Sequence, residues 1–350
     1  MRRRSMIGSA RKPDAGAVRS RIALLAAVLA LLGAAAGRAE EPAPLALETK
    51  IPLGDVYGRI DHMAFDPGRQ RLFVAELGND SVGVVDLKQR TVFKRLKRLR
   101  EPQGVGYEAK SDTLFVASGV DGTVSLFHGD TLAPGPVIPL GKDADNVRVD
   151  TKTGMVVVGY GSGALAVIDP AQRAKVGDIV LRDHPEGFQL DPAGTTIFVN
   201  VPDAREIAVV DRRTAKQTAS WPMHDARANF PMALDPDGMR VIAVFRRPAK
   251  LTVFAAKDGR AVANLDTCGD ADDVFVDERR HRLYVSCGEG FVDVIERSGT
   301  GYRRIAQIPT AAGARTAFFV PELDRLYVGV RVTSTEPKEP AAIWVFRPAP

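Results

Sequence analysis

The amino-acid sequence predicts an all-β fold, a seven-bladed β-propeller whose last blade is closed by a strand from the amino end. Three observations lead to this prediction. A strand–turn–strand pattern recurs seven times, successive repeats lie 41 to 44 residues apart, and the last repeat lacks an outer strand of its own. A period of about 40–45 residues is typical of one four-stranded blade.

Each repeat begins with a short apolar strand that ends in an acidic residue or, in the last repeat, in proline. The seven strand ends are Asp66, Glu108, Asp150, Asp191, Asp235, Asp277 and Pro321. Turns such as Asp66-Pro67-Gly68 combine a side-chain acceptor, a fixed φ and a glycine, which favours a tight reversal. Apolar runs such as 72–75 and 283–286 follow the turns. They are typical of a second strand that is buried on both faces.

The final repeat provides only three strands, because its third strand, 343–346, is followed by just four residues. Residues 45–53 precede the first repeat and have no other place in the pattern. We expect them to form the outer strand of the seventh blade. Closure by the opposite terminus leaves no open sheet edge.

Residues 1–39 have the features of a signal peptide. Basic residues precede a 15-residue apolar run at 22–36, which ends in small residues and the A-x-A-like segment Gly37-Arg38-Ala39. A membrane span needs ~20 apolar residues, so this run is short for one. We expect cleavage near Ala39, a periplasmic or secreted location, and no transmembrane span in the mature chain. An uncleaved amino-terminal anchor is the alternative.

The basic character of the chain belongs mostly to this leader. Residues 1–39 hold 8 of the 48 Lys and Arg residues and only one of the 43 Asp and Glu residues, so residues 40–350 carry a net charge of −2. Overall charge therefore gives no support to a nucleic-acid partner. Periodicity predicts that residues 40–350 form one domain, which we expect to be a monomer.

The strand phrases of this domain resemble those of the YVTN-repeat β-propellers, including the YncE-like periplasmic proteins. The resemblance covers about residues 45–347. It rests on phrases such as Arg71-Leu72-Phe73-Val74-Ala75 and Arg282-Leu283-Tyr284-Val285-Ser286, although no blade has the full Tyr-Val-Thr-Asn tetrad. The resemblance implies a periplasmic propeller and specifies no activity.

One face of a propeller carries the loops that enter the inner strands, around the mouth of the central channel. Counting back five residues from each strand end gives one mouth position per blade: Asp61, Gln103, Asp145, Glu186, Phe230, Asp272 and Thr316. With their neighbours, these positions predict a ligand-binding site made of Asp61, His62, Gln103, Asn146, His184, Glu186, Asn229, Arg246, Arg247, Lys250, Asp272, Asp273 and Arg315. Polar loops around a water-filled channel that binds nothing are the alternative.

Two ligand classes are compatible with these side chains. The carboxylates, with His62 and His184, provide oxygen and nitrogen donors for a divalent cation, although no compact ligand motif is present and no cofactor is evident. The basic segment 246–250, together with Arg315, instead favours a small polar or anionic ligand, since arginine matches carboxylates and phosphates. A solvated turn paired with local acids is the alternative for that segment.

The densest basic run after residue 39 spans residues 94–100 and falls on a predicted outer strand. Charged outer strands protect a sheet from edge-to-edge pairing, and no aromatic residues alternate with these charges to stack on bases. We expect these charges to protect the sheet edge, and nucleic-acid binding is the alternative for this run.

Two cysteines, Cys268 and Cys287, follow the leader. An exported protein passes into an oxidising compartment, so we predict a disulfide that braces the acidic loop 269–273. Free thiols that bind a metal or act as a redox centre are the alternative.

Three functions remain open at this stage. A binding or scaffold module that uses the channel mouth, with a small ligand or a periplasmic protein as partner, is the leading hypothesis. A metal-assisted lyase or hydrolase at the same mouth is the second, with His62 or His184 moving protons. Nucleic-acid binding through residues 94–100 is the third. No motif identifies a catalytic residue.

Overall fold

The structure is a computed structural model that describes residues 1, 8–9, 43–237, 239–299, 301–333 and 340–350. These residues form seven sheets of four antiparallel strands each, which confirms the predicted seven-bladed β-propeller. Residues 43–350 make one compact unit. The predicted cleavage site near Ala39 lies outside the described residues. Within the described ranges, no helix is long and apolar enough to cross a membrane.

The strands are numbered in chain order, and blades 1 to 7 follow the order of their inner strands. The inner strands are β2 (Met63–Asp66), β6 (Pro102–Glu108), β10 (Val147–Val149), β14 (Phe188–Leu190), β18 (Arg227–Leu234), β22 (Ala271–Asp277) and β26 (Ala317–Val320). The second strands are β3 (Arg71–Glu76), β7 (Thr113–Ser118), β11 (Val156–Tyr160), β15 (Thr196–Val201), β19 (Arg240–Arg247), β23 (Arg282–Cys287) and β27 (Arg325–Val330).

The outer half of each blade has a third strand and an edge strand. The third strands are β4 (Ser81–Asp86), β8 (Thr123–His128), β12 (Ala164–Asp169), β16 (Glu206–Asp211), β20 (Ala249–Ala255), β24 (Phe291–Ser298) and β28 (Ala342–Pro348). The edge strands are β5 (Thr91–Lys97), β9 (Pro134–Pro139), β13 (Ala174–Val180), β17 (Lys216–Pro222), β21 (Ala261–Asp266), β25 (Gly301–Pro309) and β1 (Leu45–Pro52). Two short 3₁₀ turns, Leu77–Asn79 and Glu278–Arg280, complete the described elements.

The hydrophobic core lies between neighbouring blades. Second strands such as β7 are buried along their whole length, whereas edge strands such as β5 are mostly exposed. Continuous apolar runs therefore occur where a strand has a neighbouring blade on both faces. One apolar cluster fills each junction, and Phe73 with Leu114 is an example from the junction of blades 1 and 2.

The amino-terminal strand closes the ring as predicted. β1 pairs antiparallel with β28, in a register that runs from Leu45 opposite Pro348 to Pro52 opposite Ala342. Leu45 is buried in the cluster between blades 6 and 7, and Ile51 in the cluster between blades 7 and 1. The strand thus completes one sheet and contributes to two interfaces.

Arginine bridges fasten neighbouring blades on the face opposite the mouth. Arg280 pairs with Asp277 of its own blade at 3.0 Å and with Asp324 of blade 7 at 2.7 Å. Arg69 makes the equivalent bridge between blades 1 and 2. The acidic residues that mark the strand ends in the sequence therefore also anchor contacts between blades.

Candidate functional site

Blades 1, 3 and 4 fix their mouth residues in the same way. Asp61, Asp145 and Glu186 each donate their backbone N–H to a carbonyl of the second strand of their blade, at 2.7 to 2.9 Å. These bonds hold the residue two positions before the inner strand beside the channel. The five-residue offset found in the sequence follows from this shared geometry.

A ring of hydrogen bonds joins the blades at the same level. Each of the seven blade junctions has at least one such bond within the described residues. They run from His62 N to Gln103 O (3.2 Å), Gln103 Nε2 to Asp143 Oδ1 (2.9 Å), Arg148 Nε to Phe188 O (3.1 Å), Gln189 Nε2 to Met232 O (2.7 Å), Arg246 Nε to Ala271 O (2.9 Å), Ala317 N to Asp273 Oδ2 (2.9 Å) and Thr316 Oγ1 to Ile60 O (3.0 Å).

Two glycines permit this close approach. A Cβ atom at Gly104 would overlap the backbone carbonyl of Asp145, and one at Gly187 would overlap the carbonyl of Phe230. Larger residues at these positions would push neighbouring blades apart at the mouth. We infer that the two glycines are needed for the geometry of the site.

The mouth opens into a channel of about 850 Å³, within the range of small-molecule sites. Loops and inner strands of all seven blades line it. Ten of the thirteen predicted site residues are in the lining: Asp61, His62, Gln103, Asn146, His184, Glu186, Arg246, Asp272, Asp273 and Arg315.

Three predicted site residues lie outside this lining. Asn229 is fully buried behind it, where its amide donates to Asn200 Oδ1 at 2.9 Å and to Glu206 O at 3.2 Å. A register shift in β18 after Asn229 interrupts the regular alternation that the prediction assumed. Arg247 and Lys250 flank the β19–β20 turn, and only Arg246 of that basic segment lines the channel.

Positive and negative side chains alternate on one side of the mouth. We call this group the arginine cluster: Arg59, Arg246, Arg315, Asp61, Asp270 and Asp272. Asp272 lies against all three guanidinium groups, with Arg315 Nε at 3.2 Å. Asp270 accepts from Arg315 Nη1 at 2.9 Å, and Asp61 Oδ2 lies 2.9 Å from Arg59 Nη2. The three arginines therefore already have carboxylate partners.

The other side of the mouth has an excess of acceptors. We call this group the acid–histidine cluster: His62, Asp143, Asp145, His184 and Glu186. His62 Nε2 lies 3.7 Å from Asp145 Oδ1, and His184 Nε2 lies 3.6 Å from Asp143 Oδ2. Both distances exceed those of a hydrogen bond. Arg148, the nearby cation, donates to the carbonyls of Val147 and Phe188 and to Asn146 Oδ1.

Burial controls the protonation of these groups. Desolvation raises the pKa of Asp61 to about 7, although the Arg59 guanidinium opposes the shift. Desolvation also raises the pKa of Asp145 to about 6 and that of Glu186 to about 9, and repulsion from neighbouring carboxylates adds to the shift at Glu186. Burial lowers the pKa of His62 below its usual value, against the attraction of Asp145. The Glu186 carboxyl therefore holds its proton at neutral pH.

The sequence-based site omits four charged residues of the mouth: Arg59, Asp143, Arg148 and Asp270. Three of them lie two residues before a mouth position, so the repeat itself contains the signal that locates them. At that offset the backbone of both Asp143 and Asp270 is left-handed, with φ of 58°. Aspartate tolerates this conformation, which turns the loop into the rim.

The predicted disulfide between Cys268 and Cys287 is confirmed. It joins the loop before β22 to the end of β23, with 5.8 Å between the Cα atoms. The loop that carries Asp270 begins immediately after Cys268. The bridge therefore supports the blade 6 side of the arginine cluster.

In the described part of the chain, no three His, Cys, Asp or Glu side chains are arranged to hold a metal ion. The basic run 94–100 lies largely on β5, an edge strand, as predicted. Arg95 of this run points back to the blade, where it pairs with the buried Glu76 at 2.6 Å and donates to Leu53 O at 2.7 Å.

Comparison with known proteins supports the fold. The chain is similar to a structure titled Kuenenia stuttgartiensis hydrazine synthase, with a TM-score of 0.70 and 17% identity over 83% of this chain and 95% of that chain. It is also similar to a chain of a mitotic checkpoint complex, with a TM-score of 0.73 and 13% identity over 99% of each chain. No protein-family model and no curated protein sequence matches it. At such low identities, the similarity establishes the seven-bladed β-propeller fold alone.

Proposed function

We propose that this chain is an exported propeller of the YVTN-repeat, YncE-like type that binds a ligand or a protein partner at its channel mouth. The observation that carries the proposal is the convergence of charged side chains from blades far apart in sequence on one cavity of about 850 Å³. Concave sites with a few converging polar groups are the usual form of a binding site.

Export is supported by the leader pattern in residues 1–39 and by the Cys268–Cys287 disulfide. Stable disulfides form in oxidising compartments such as the periplasm and the extracellular space. We propose that the mature protein is released after cleavage near Ala39. Identification of the amino-terminal residue of the processed protein, together with cell fractionation, tests this step.

The alternatives receive less support from the geometry. A metal-assisted lyase or hydrolase needs converging ligands, and the described mouth residues present no three-donor group. Nucleic-acid binding through residues 94–100 would use a strand in which Arg95 is already paired with Glu76. Binding at the mouth therefore remains the proposal.

Phe230 and Phe93 provide a matched pair for testing where a partner binds. Phe230 lines the channel mouth, whereas Phe93 is exposed on β5. We would replace each in turn by a photo-crosslinking benzoyl-phenylalanine in the exported protein and irradiate intact cells. Mouth binding predicts adducts, identified by mass spectrometry, that depend on the Phe230 position.

A thermal-shift screen of residues 40–350 covers small ligands. Mouth binding predicts a stabilising ligand whose effect is lost in Gln103→Ala. Two results together would place the functional surface away from the mouth. Crosslinked adducts would form only at the Phe93 position, and Gln103→Ala would leave the stabilisation by ligands unchanged.

A further inference from the structure

The charges of the mouth are divided unequally between its two sides. In the arginine cluster, three guanidinium groups face three carboxylates at contact distances. An incoming anion would have to displace Asp270 or Asp272 from these arginines. All three guanidinium groups of this side therefore have carboxylate partners, and among the described residues only Nε of Arg59 is a buried donor of the cluster without a hydrogen bond, so this side gives little attraction to an acidic ligand.

The acid–histidine cluster has carboxylate oxygens without partners. Asp145 is 7% exposed and lines the channel, and its Oδ1 atom is buried with no hydrogen bond. The carboxyl group of Glu186 also lines the channel and makes neither a hydrogen bond nor a close ion pair within the described residues. A carboxyl oxygen that is removed from water and has no donor is costly, so both groups favour a ligand that donates to them.

His184 adds a further acceptor to this group. Its Nδ1 atom lies 2.7 Å from the carbonyl oxygen of Gly161, and a carbonyl oxygen only accepts, so Nδ1 carries the proton. In the neutral ring, Nε2 then presents a lone pair toward Asp143 Oδ2 at 3.6 Å. Two acceptors face each other across this gap, which becomes favourable when one positively charged group donates to both of them.

We propose that the acid–histidine cluster is a binding site for an organic cation, the ammonium or guanidinium group of a small amine or of a basic side chain. This inference rests on the proposed function and specifies the ligand class of that same site. Such a group donates several hydrogen bonds to separated acceptors, here Asp145, Glu186, Asp143 and His184 Nε2. A metal ion needs three or more ligands at short range, which the described residues do not provide.

Binding of a cation should release a proton. The carboxyl of Glu186 is protonated at neutral pH, because burial and nearby carboxylates raise its pKa. A bound cation favours the carboxylate form, so the proton leaves as the ligand binds. The other charged groups that act on Glu186 and Asp145 are Arg59, Asp61, His62, Asp143, Arg148, His184, Arg246 and Asp272.

Isothermal titration calorimetry of residues 40–350 tests the inference. The probes are putrescine and lysinamide for the cation, with butanediol as the neutral analogue, succinate as the anionic one, and magnesium chloride as the metal. We expect the two amines to bind with proton release, measured in two buffers of different ionisation enthalpy. Glu186→Gln and Asp145→Asn should each weaken amine binding at least roughly tenfold.

Glu322→Gln is the matched control, because Glu322 lines the opposite end of the same channel and should leave amine binding unchanged. Three results would overturn the cation site. They are an equal loss of amine affinity in Glu322→Gln and Glu186→Gln, tighter binding of magnesium than of the amines, and no amine binding to the wild type. Thermal melts confirm that each variant is folded. Binding of succinate or butanediol that Gln103→Ala abolishes would retain the proposed mouth function and reject the cation class.

Discussion

The pairing of β1 with β28 predicts different costs for two similar substitutions on one strand. Ile51 is 2% exposed between blades 7 and 1, whereas Leu47 is 45% exposed on the same strand. Ile51→Ala removes buried apolar volume and should lower the free energy of unfolding by about 2–5 kcal/mol. Leu47→Ala should change it by no more than about 0.5 kcal/mol.

Deletion of residues 40–53 extends the same test. It removes three buried side chains, Leu45, Ile51 and Leu53, each worth about 1.5–3 kcal/mol. The sum of about 5–9 kcal/mol is comparable to the whole stability of an ordinary domain. The shortened protein should therefore be unfolded or aggregated.

Trp344 provides a local assay for closure. It is one of two tryptophans in the chain and lies on β28, with the Lys50 amine of β1 at 3.8 Å from its ring centroid. In a Trp221→Phe background, its fluorescence during urea unfolding reports on the docking of β1. The closure would be refuted if Ile51→Ala and Leu47→Ala lowered the free energy of unfolding equally. It would also be refuted if the protein without residues 40–53 had the same urea midpoint as the intact protein.

Three further predictions concern stability. Replacing Cys268 and Cys287 together by Ser should lower the free energy of urea unfolding by about 3 kcal/mol, as expected for the loop that this disulfide closes. Reducing agent should have no added effect on that variant. Burial raises the pKa of Glu186 to about 9 in the folded protein. The folded protein therefore loses stability as the pH rises from the pKa that Glu186 has in the unfolded chain towards about 9. Glu186→Gln should therefore raise the urea midpoint in mildly alkaline buffer and leave it unchanged in acid, and a uniform change would contradict the pKa shift. Arg280→Ala should cost about 3–5 kcal/mol because Arg280 is a buried bridge between two aspartates, whereas Arg303→Ala, at an exposed pair, should cost under about 1 kcal/mol; similar melting temperatures would contradict this.

The fold was predictable because its signals are local and repeated. The turn after Asp66 and its equivalents fixes where each inner strand ends, and the period fixes how many blades follow. The pairing of β1 with β28 was predictable because the pattern left one edge without a strand. These inferences depend on turns and strand patterns that each repeat contains within its own residues.

The details of the mouth were less predictable, because they depend on neighbours from other blades. Arg246 was assigned to an anionic ligand, but Asp270 and Asp272 already occupy its guanidinium group. Asn229 was assigned to the mouth, but an irregularity in β18 leaves it behind the lining. A similar irregularity in β22 lies between Ala271, which pairs with Cys287, and Asp273, which pairs with Ser286. Spacing alone does not reveal such shifts.

The closure of blade 7 also affects how the protein is made. Among the described strands, β1 is synthesised first and its partner β28 last, so this contact has a very long sequence separation. Contacts of this kind form slowly, and incomplete chains present unpaired edges to one another. Protection of the unpaired β1 strand during synthesis should therefore strongly influence the yield of folded protein.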